Sequence, residues 1–375
     1  MRTVTITLSA LLLLWAVHTP ACGAKDVKRL EIGSPCPKLD LPGVDGRIHK
    51  LNDFATARLL VVVFTCNHCP TAQAYEERLI KLEADYRSRG VRLIAISPND
   101  PKSVRLDELG YTDVGDTLED MKYHAKRVGF RFPYLYDGKT QRVSTAFGVL
   151  ATPHVFIFDQ QRRLRYNGRI DDADITLPKS HDARNAIEAM LAGRPVSVAT
   201  TRVFGCSTKW AEKRESARQS VLKWDAEPVR LQQIESGPLQ ELIANRTGKY
   251  RLVNLWSITC VPCVAEQPKF VTINRMYRKR HFELITIVTD DVSRSDLALK
   301  TLKSNKVSCR NLVFTGGDRD DLAEIVDGDW PGPLPYTILI APGGKIVKRW
   351  SDEIDPQDVK TTLADALGRT YAGRK

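Results

Sequence analysis

The sequence has few cysteines, no long apolar run after its first residues and no long block of like charge. Eight cysteines in 375 residues are too few for a fold built on disulfides. Beyond the N-terminus no segment approaches the roughly 18 uninterrupted apolar residues of a membrane-spanning helix. The net charge of +11 is spread over the whole length. We therefore expect its short basic runs to lie on solvated faces, and we predict no nucleic-acid partner.

The composition describes a soluble globular protein of more than one domain. Apolar residues make up 42% of the chain and charged residues 27%. These are ordinary values for a folded protein and exclude a disordered one. Because single cores rarely extend over so long a chain, the length predicts two domains.

The N-terminus resembles a targeting segment. Arg2 precedes an apolar stretch from Val4 to Val17, and small residues then lead to the charged pair at 25–26. This order is typical of a secretory signal. We predict a signal peptide or N-terminal anchor over residues 1–24, and therefore export to the periplasm or cell envelope. Lipidation of Cys22, and with it membrane attachment, stays open.

Two stretches of the chain share one layout, in which a β-branched run meets Cys-x-x-Cys and then turns amphipathic. The first is VVVFTCNHCPTAQAYEERL at 61–79, and the second is LVNLWSITCVPCVAEQPKF at 252–270. Each run is followed by the pattern of a helix and then by another strand, which predicts a β-α-β unit. The architecture is therefore expected to be duplicated along the chain.

Cysteines separated by two residues at the start of a helix are suited to disulfide exchange. The thiolate is the attacking species, and a helix N-terminus stabilises it. The second cysteine then reaches back to resolve the mixed disulfide. We predict that Cys66 and Cys260 attack and that Cys69 and Cys263 resolve, with static disulfide clips as the alternative. Zinc would need four ligands in one place, and c-type haem would need a histidine after the second cysteine, so neither is expected.

Further motifs make both halves resemble the thioredoxin superfamily. The first half has FPYLYD at 132–137, NGRIDD at 167–172 and FGCSTKW at 204–210, and it resembles a redoxin of the peroxiredoxin-like (AhpC/TSA) type. The second half resembles a TlpA/ResA-like thioredoxin domain through NLWSITCVPCVAEQP at 254–268 and GGKIV at 343–347. We therefore expect an α/β fold of two thioredoxin-like domains, each a central mixed sheet flanked by helices. The predicted bounds are 25–200 for the first domain, 201–228 for a less regular linker or docking segment, and 229–375 for the second.

The resemblance implies an activity and two further site residues. It implies a thiol:disulfide oxidoreductase acting on protein thiols and disulfides with an upstream thiol reductant, and needing no cofactor or metal. Pro153 and Pro335 match the cis-proline of the fold, which leaves the backbone before it free to pair with a substrate strand.

Two alternatives are a thiol-dependent peroxidase with antioxidant activity and a copper-binding or chaperone module that uses Cys66, Cys69 and His68. The peroxidase motif Pro-x-x-x-Thr-x-x-Cys is absent before both cysteines of the first pair.

The dipeptides between the cysteines differ, which predicts different redox potentials. His68 stands beside Cys69 at an expected exposed helix start, where an imidazole would stabilise the Cys66 thiolate, whereas Pro262 offers no charge. A stabilised thiolate makes the corresponding disulfide more oxidising. We therefore expect electrons to pass from the second pair to the first. Cys206, in the matched tail motif, is a possible third partner of the first pair.

Overall fold

The structure is a computed structural model and describes residues 27–371. The predicted signal or anchor at 1–24 lies outside the described residues. Among residues 27–371, no helix combines the length and the apolar character needed to cross a membrane.

The first half of the chain forms one mixed sheet with helices on both faces, which we call the first unit. Its elements, together with the segment that follows the sheet, are β1 (Asp40–Pro42), β2 (Ile48–Lys50), β3 (Leu59–Phe64), α1 (Pro70–Ala74), α2 (Glu76–Tyr86), β4 (Val91–Ser97), α3 (Leu118–Val128), β5 (Tyr134–Tyr136), α4 (Arg142–Phe147), β6 (Ala151–Thr152), β7 (His154–Phe158), β8 (Leu164–Gly168), α5 (Asp182–Leu191), β9 (Cys206–Ser207) and α6 (Arg214–Asp225).

The order of strands in this sheet is β5-β4-β3-β7-β8. Strands β3, β4 and β5 are parallel, while β7 and β8 run antiparallel to their neighbours. Every residue of β3 is buried, and successive side chains enter two separate cores, with Val61 and Val63 in one and Leu60 and Val62 in the other. A strand covered on both faces is a continuous apolar run, which explains the pattern read from the sequence.

The second half repeats this arrangement, and we call it the second unit. Its elements are β10 (Gln232–Ile234), α7 (Ser236–Ala244), β11 (Tyr250–Trp256), α8 (Val261–Tyr277), β12 (Phe282–Val288), α9 (Ser295–Ser304), β13 (Arg310–Phe314), α10 (Arg319–Val326), β14 (Tyr336–Ile340), β15 (Ile346–Trp350) and α11 (Pro356–Leu367). The strand order is β10-β13-β12-β11-β14-β15.

The two sheets share a central pattern. In each, the strand that leads into Cys-x-x-Cys pairs in parallel with the next strand of the chain and antiparallel with the strand after the matched proline. The predicted α/β fold, with a mixed sheet between helices, is confirmed. It has the strand arrangement of the thioredoxin fold.

The segment predicted as a less regular linker is more ordered than expected. It contains the 12-residue helix α6, whose Arg214 pairs with Asp100 of the first unit. At the other end of the helix, Asp225 accepts a hydrogen bond from Arg275 of α8 at 2.7 Å. Long-range ion pairs to both units therefore hold this helix, and its sparse apolar pattern concealed it. The domain bounds themselves stay a prediction.

Candidate active site

The first site lies just beyond the end of β3. Cys66 and Cys69 are free thiols, and their residues are only 2% and 0% exposed. Both sulfurs contact Thr152, which precedes Pro153. The Cys66 Sγ lies 3.1 Å from the Thr152 hydroxyl, and the Cys69 Sγ lies 3.4 Å from the Thr152 carbonyl oxygen. The structure thus brings the predicted pair and Pro153 together.

The helix of this site begins three residues later than predicted. Cys69, not Cys66, is the N-cap of α1, with Pro70 at the first helical position. Proline is favoured there because its missing N–H would have no intrahelical partner. The expectation that the first cysteine stands at the helix start is therefore wrong for this pair. It holds for the second pair, where Cys260 is the N-cap of α8.

His68 is buried, and its expected exposure is wrong. The residue is 2% exposed, and its Nδ1 lies 2.6 Å from Asp116 Oδ2. Asp116 also accepts hydrogen bonds from the backbone N–H of Asn67 at 3.0 Å and from Asn99 Nδ2 at 2.8 Å. Burial favours the neutral imidazole, but the charge and hydrogen bond of Asp116 outweigh it and raise the pKa of His68. Sequence reasoning missed Asp116 because its 48-residue separation from His68 leaves no local pattern.

The two thiols of the first site are inequivalent, in the opposite sense to the prediction. Burial raises the pKa of Cys66 well above its ordinary value, and Cys69 and the negative charge of Asp116 raise it further. Burial also opposes ionisation of Cys69. Hydrogen bonds from Cys206 and Cys66 and the charge of His68 outweigh that effect, so the pKa of Cys69 is lowered well below its ordinary value. Cys69 is therefore the thiol of this site that ionises more readily, because hydrogen bonds from two neighbouring thiols and the charge of His68 lower its pKa.

A third cysteine adjoins this pair. Strand β9 pairs antiparallel with β6, with Cys206 opposite Thr152. Cys206 packs against the cluster of Cys66, Cys69 and Ala72. The expectation that the backbone before Pro153 is free to pair with a substrate strand is therefore wrong in this unit, because the chain itself occupies that edge.

The second site is more open. Cys260 and Cys263 form a disulfide, with their Cα atoms 5.2 Å apart. Cys263 is fully buried, whereas Cys260 is half-buried and the adjacent Val261 is 79% exposed. Leu334, which precedes Pro335, packs in the same cluster as both cysteines. Among the described residues no strand pairs with Leu334, so this edge is left open.

Both matched prolines have the predicted geometry. The Thr152–Pro153 and Leu334–Pro335 peptide bonds are cis. The predicted part of Pro335 in binding a substrate stays a prediction, as do the attacking and resolving roles assigned to the four cysteines.

A buried carboxyl lies one helical turn after Cys263. Glu266 is fully buried, and it accepts hydrogen bonds from Asn254 Nδ2 at 3.0 Å and from the Ile354 amide at 3.1 Å. Burial raises the pKa of Glu266 to about 7. Residues three apart lie on the same face of a helix, so this group is on the Cys263 side of α8. A carboxyl that titrates near neutrality is suited to exchange protons with a thiol.

The first site also has the donors of a metal centre. One ligand atom each from Cys66, His68 and Asp116 lie within 4.8 Å of one another, and all three residues are buried. His68 Nε2 has no hydrogen-bond partner. A carboxylate on the other ring nitrogen is the usual arrangement of a ligating histidine.

Comparison with known proteins adds a family to this geometry. Residues 32–167 match the model of the AhpC/TSA family. The matched segment contains β3, Cys66, Cys69 and Pro153. Residues 32–167 are therefore similar to a redoxin domain of this family. The match ends before Cys206 and before the second unit.

Two curated relatives and one solved structure are similar to parts of this chain. The chain is 24% identical over 136 residues to the thiol-disulfide oxidoreductase ResA of Geobacillus thermodenitrificans, and 30% identical over 102 residues to that of Bacillus thuringiensis. These matches cover 36% and 27% of this chain and 67% and 54% of the relatives, so the chain spans about half to two thirds of their length. A crystal structure of an uncharacterized conserved protein from Geobacillus kaustophilus is 35% identical, with a TM-score of 0.43, covering 48% of this chain and 92% of that one.

Proposed function

We propose that this protein is an exported thiol:disulfide oxidoreductase that uses both Cys-x-x-Cys pairs. The observation that carries the proposal is the shared position of the pairs. Each pair follows the central strand of its sheet and lies beside the segment that ends in a cis proline. In this arrangement a thiolate attacks a substrate disulfide, and a neighbouring thiol displaces the substrate from the mixed disulfide.

The two sites would differ in potential. At the first site, the helix N-terminus, His68 and two thiol donors stabilise the Cys69 thiolate. Stabilising the reduced form makes the disulfide a better oxidant. The second site has no charged residue between its cysteines. Electrons would therefore pass from the second pair to the first, the direction predicted from the sequence, although the thiolate is Cys69 and not Cys66.

The second site would be the entrance for electrons. Its half-buried Cys260 caps α8, and its edge at Leu334 has room for a partner strand. Cys260 would attack, Cys263 would resolve, and Glu266 would exchange protons with the buried thiol. Partners of this site are protein thiols and disulfides, including an upstream thiol reductant. Export and an N-terminal membrane attachment rest on the sequence pattern of residues 1–24.

Alkylation and trapping test the proposal. The whole chain is reduced mildly, alkylated and digested, and both pairs should open without denaturation. Cys263→Ser should then accumulate a mixed disulfide on Cys260 when it meets a protein disulfide, whereas Cys260→Ser should not. Cys309→Ser, which removes another thiol of the same unit, is the control. A pair that resists reduction until the protein is unfolded would be a structural clip and would contradict its proposed role.

Metal binding is a second candidate function for the first site. The cluster of Cys66, His68 and Asp116, with Cys69 adjacent, offers soft sulfur and imidazole ligands that suit copper(I). Titration with copper(I) against a chelator of known affinity tests this candidate, with His68→Gln as the variant that should weaken binding. The peroxidase alternative is tested by the consumption of hydroperoxide with a thiol donor.

A further inference from the structure

Cys206 is the most accessible of three sulfurs that lie together. Cys66 and Cys69 are 2% and 0% exposed, while Cys206 is only half-buried. The Cys66–Cys69 pair is therefore enclosed, and the half-buried cysteine beside it belongs to β9. Access to the attacked sulfur is one of the factors that set the rate of disulfide exchange.

Backbone pairing fixes Cys206 at this place. Thr152, its partner across the β6–β9 pair, is the residue that both buried sulfurs contact. Gly205 permits the approach. Its φ is +135°, and a Cβ there would lie 2.0 Å from the Thr152 carbonyl oxygen. No other residue type fits this contact without a shift of the strand.

Side chains of the first unit anchor the segment that carries Cys206. The Lys209 amide donates to Asn99 Oδ1 at 2.9 Å, and the Lys209 carbonyl accepts from Gln141 Nε2 at 2.8 Å. The Lys209 ammonium pairs with Glu108 at 2.6 Å. Asn99 also binds Asp116, the partner of His68, so one set of polar groups holds both the strand and the histidine.

We propose that Cys206 is a third redox cysteine, which exchanges disulfides between the surface and the buried Cys66–Cys69 pair. The proposal rests on the proposed function, because it needs a first site that undergoes thiol–disulfide exchange. Cys206 packs against the cluster that contains Cys66 and Cys69, and its strand pairs with the residue that both of their sulfurs contact, so the cysteines that would react lie next to each other.

The exchange balances without any reagent beyond a substrate disulfide. The Cys206 sulfur attacks the substrate disulfide, and the first substrate sulfur leaves with the Cys206 proton. The Cys69 sulfur then attacks the Cys206 sulfur, forms a Cys69–Cys206 disulfide and expels the second substrate sulfur, which takes the Cys69 proton. Cys66 finally attacks Cys69, forming the Cys66–Cys69 disulfide, and its proton goes to the departing Cys206. Two thiols of the protein are oxidised, and one substrate disulfide is reduced to two thiols.

The test uses the whole chain with Cys260→Ser and Cys263→Ser, so that only the first site reports. This parent is treated with oxidised glutathione in the presence of a chelator, quenched with acid, alkylated and digested. Adding Cys66→Ser should trap a disulfide between Cys69 and Cys206. Adding Cys206→Ser should slow formation of the Cys66–Cys69 disulfide by about tenfold or more, since access limits the rate.

Each outcome has one meaning. Cys36→Ser removes a thiol of the same unit that is half-buried elsewhere, and this control should oxidise at the rate of the parent. Glutathione on Cys69 with Cys206 still alkylated, or a Cys206→Ser variant that oxidises at the parent's rate, overturns the exchange role. A parent that never forms the Cys66–Cys69 disulfide would instead contradict the proposed function of this site. Circular dichroism shows whether each variant is folded.

Discussion

Replacing Glu266 with glutamine should remove a pH dependence from the stability of the second unit. The ordinary pKa of a glutamate is 4.5, and burial raises that of Glu266 to about 7. The folded state therefore binds more protons than the unfolded state between these values. The contribution of Glu266 to the free energy of unfolding is fully present below pH 4.5 and is lost as the pH rises through about 7. Nearby, Glu353 raises this pKa and Lys269 lowers it, and both are included in the value.

The magnitude follows from the interval between the two pKa values. One pKa unit corresponds to about 1.4 kcal/mol, so the interval from 4.5 to about 7 corresponds to about 3 kcal/mol. Glutamine does not ionise and should abolish this slope. At low pH the variant should be the less stable protein, because its amide group cannot accept both hydrogen bonds from Asn254 and Ile354. Above neutrality the difference should shrink or reverse.

The assay is urea unfolding of the oxidised whole chain at a series of pH values spanning that interval. Tryptophan emission follows the second unit through Trp256, Trp330 and Trp350 once Trp210 and Trp224, which lie before this unit, have been replaced with phenylalanine in every protein of the series. Glu324→Gln is the matched control, because Glu324 is exposed on α10 and should leave the slope unchanged. If the free-energy difference between Glu266→Gln and the wild type stays constant across the series within about 0.5 kcal/mol, the buried carboxyl does not titrate as argued.

Three further measurements test the first site. When the whole chain is equilibrated with glutathione buffers, the first pair should have the less negative reduction potential, by about 30 mV or more, which is equivalent to about 1.4 kcal/mol. Potentials that agree within half that interval would contradict electron transfer from the second pair to the first. Asp116→Asn should remove the negative charge that keeps His68 protonated, and without the charge of His68 the pKa of Cys69 should rise. Ultraviolet absorbance of the thiolate measures this pKa, and an unchanged value would show that His68 does not act on Cys69. Gly205→Ala should displace β9 and speed alkylation of reduced Cys69, whereas Gly237→Ala, where nothing lies within 4 Å, should not; equal rates in both variants would mean that β9 does not limit access.

Local patterns account for what could be predicted of the fold. The apolar runs that became β3 and β11 are buried on both faces, so their signal lies within a few consecutive residues. Two local signals predicted where both sites lie. One is Cys-x-x-Cys directly after each run, and the other is the proline before β7 and before β14. The helix start in the first site was predicted wrongly at Cys66, although Pro70, directly after Cys69, is a local signal for a start at Cys69.

Contacts between distant parts of the chain account for what was missed. The burial of His68 depends on Asp116, and the covering of Cys69 depends on β9, which is more than 130 residues away in the chain. Neither contact has a periodicity. The surroundings of His68 changed which cysteine is expected to ionise. The buried His68 lowers the pKa of Cys69, while its partner Asp116 raises the pKa of Cys66. The predicted direction of electron transfer stays a prediction, and it does not depend on which cysteine is the thiolate, because either thiolate stabilises the reduced form.

The loop that contains Asp116, the partner of His68, also contacts the second unit. Three residues before Asp116, the fully buried Asp113 accepts hydrogen bonds from Arg369 at 2.6 Å and from Thr361 at 2.8 Å. Separating the units would remove both of these partners and leave the carboxylate with Arg127 of the first unit, whose Nη2 lies 3.6 Å from Asp113 Oδ1. Loss of a partner from a buried ion pair is destabilising. The contact therefore ties the position of Asp116, and through it the charge of His68, to the docked second unit. Two separate proteins would lack this link, which gives a physical reason for carrying both units in one chain.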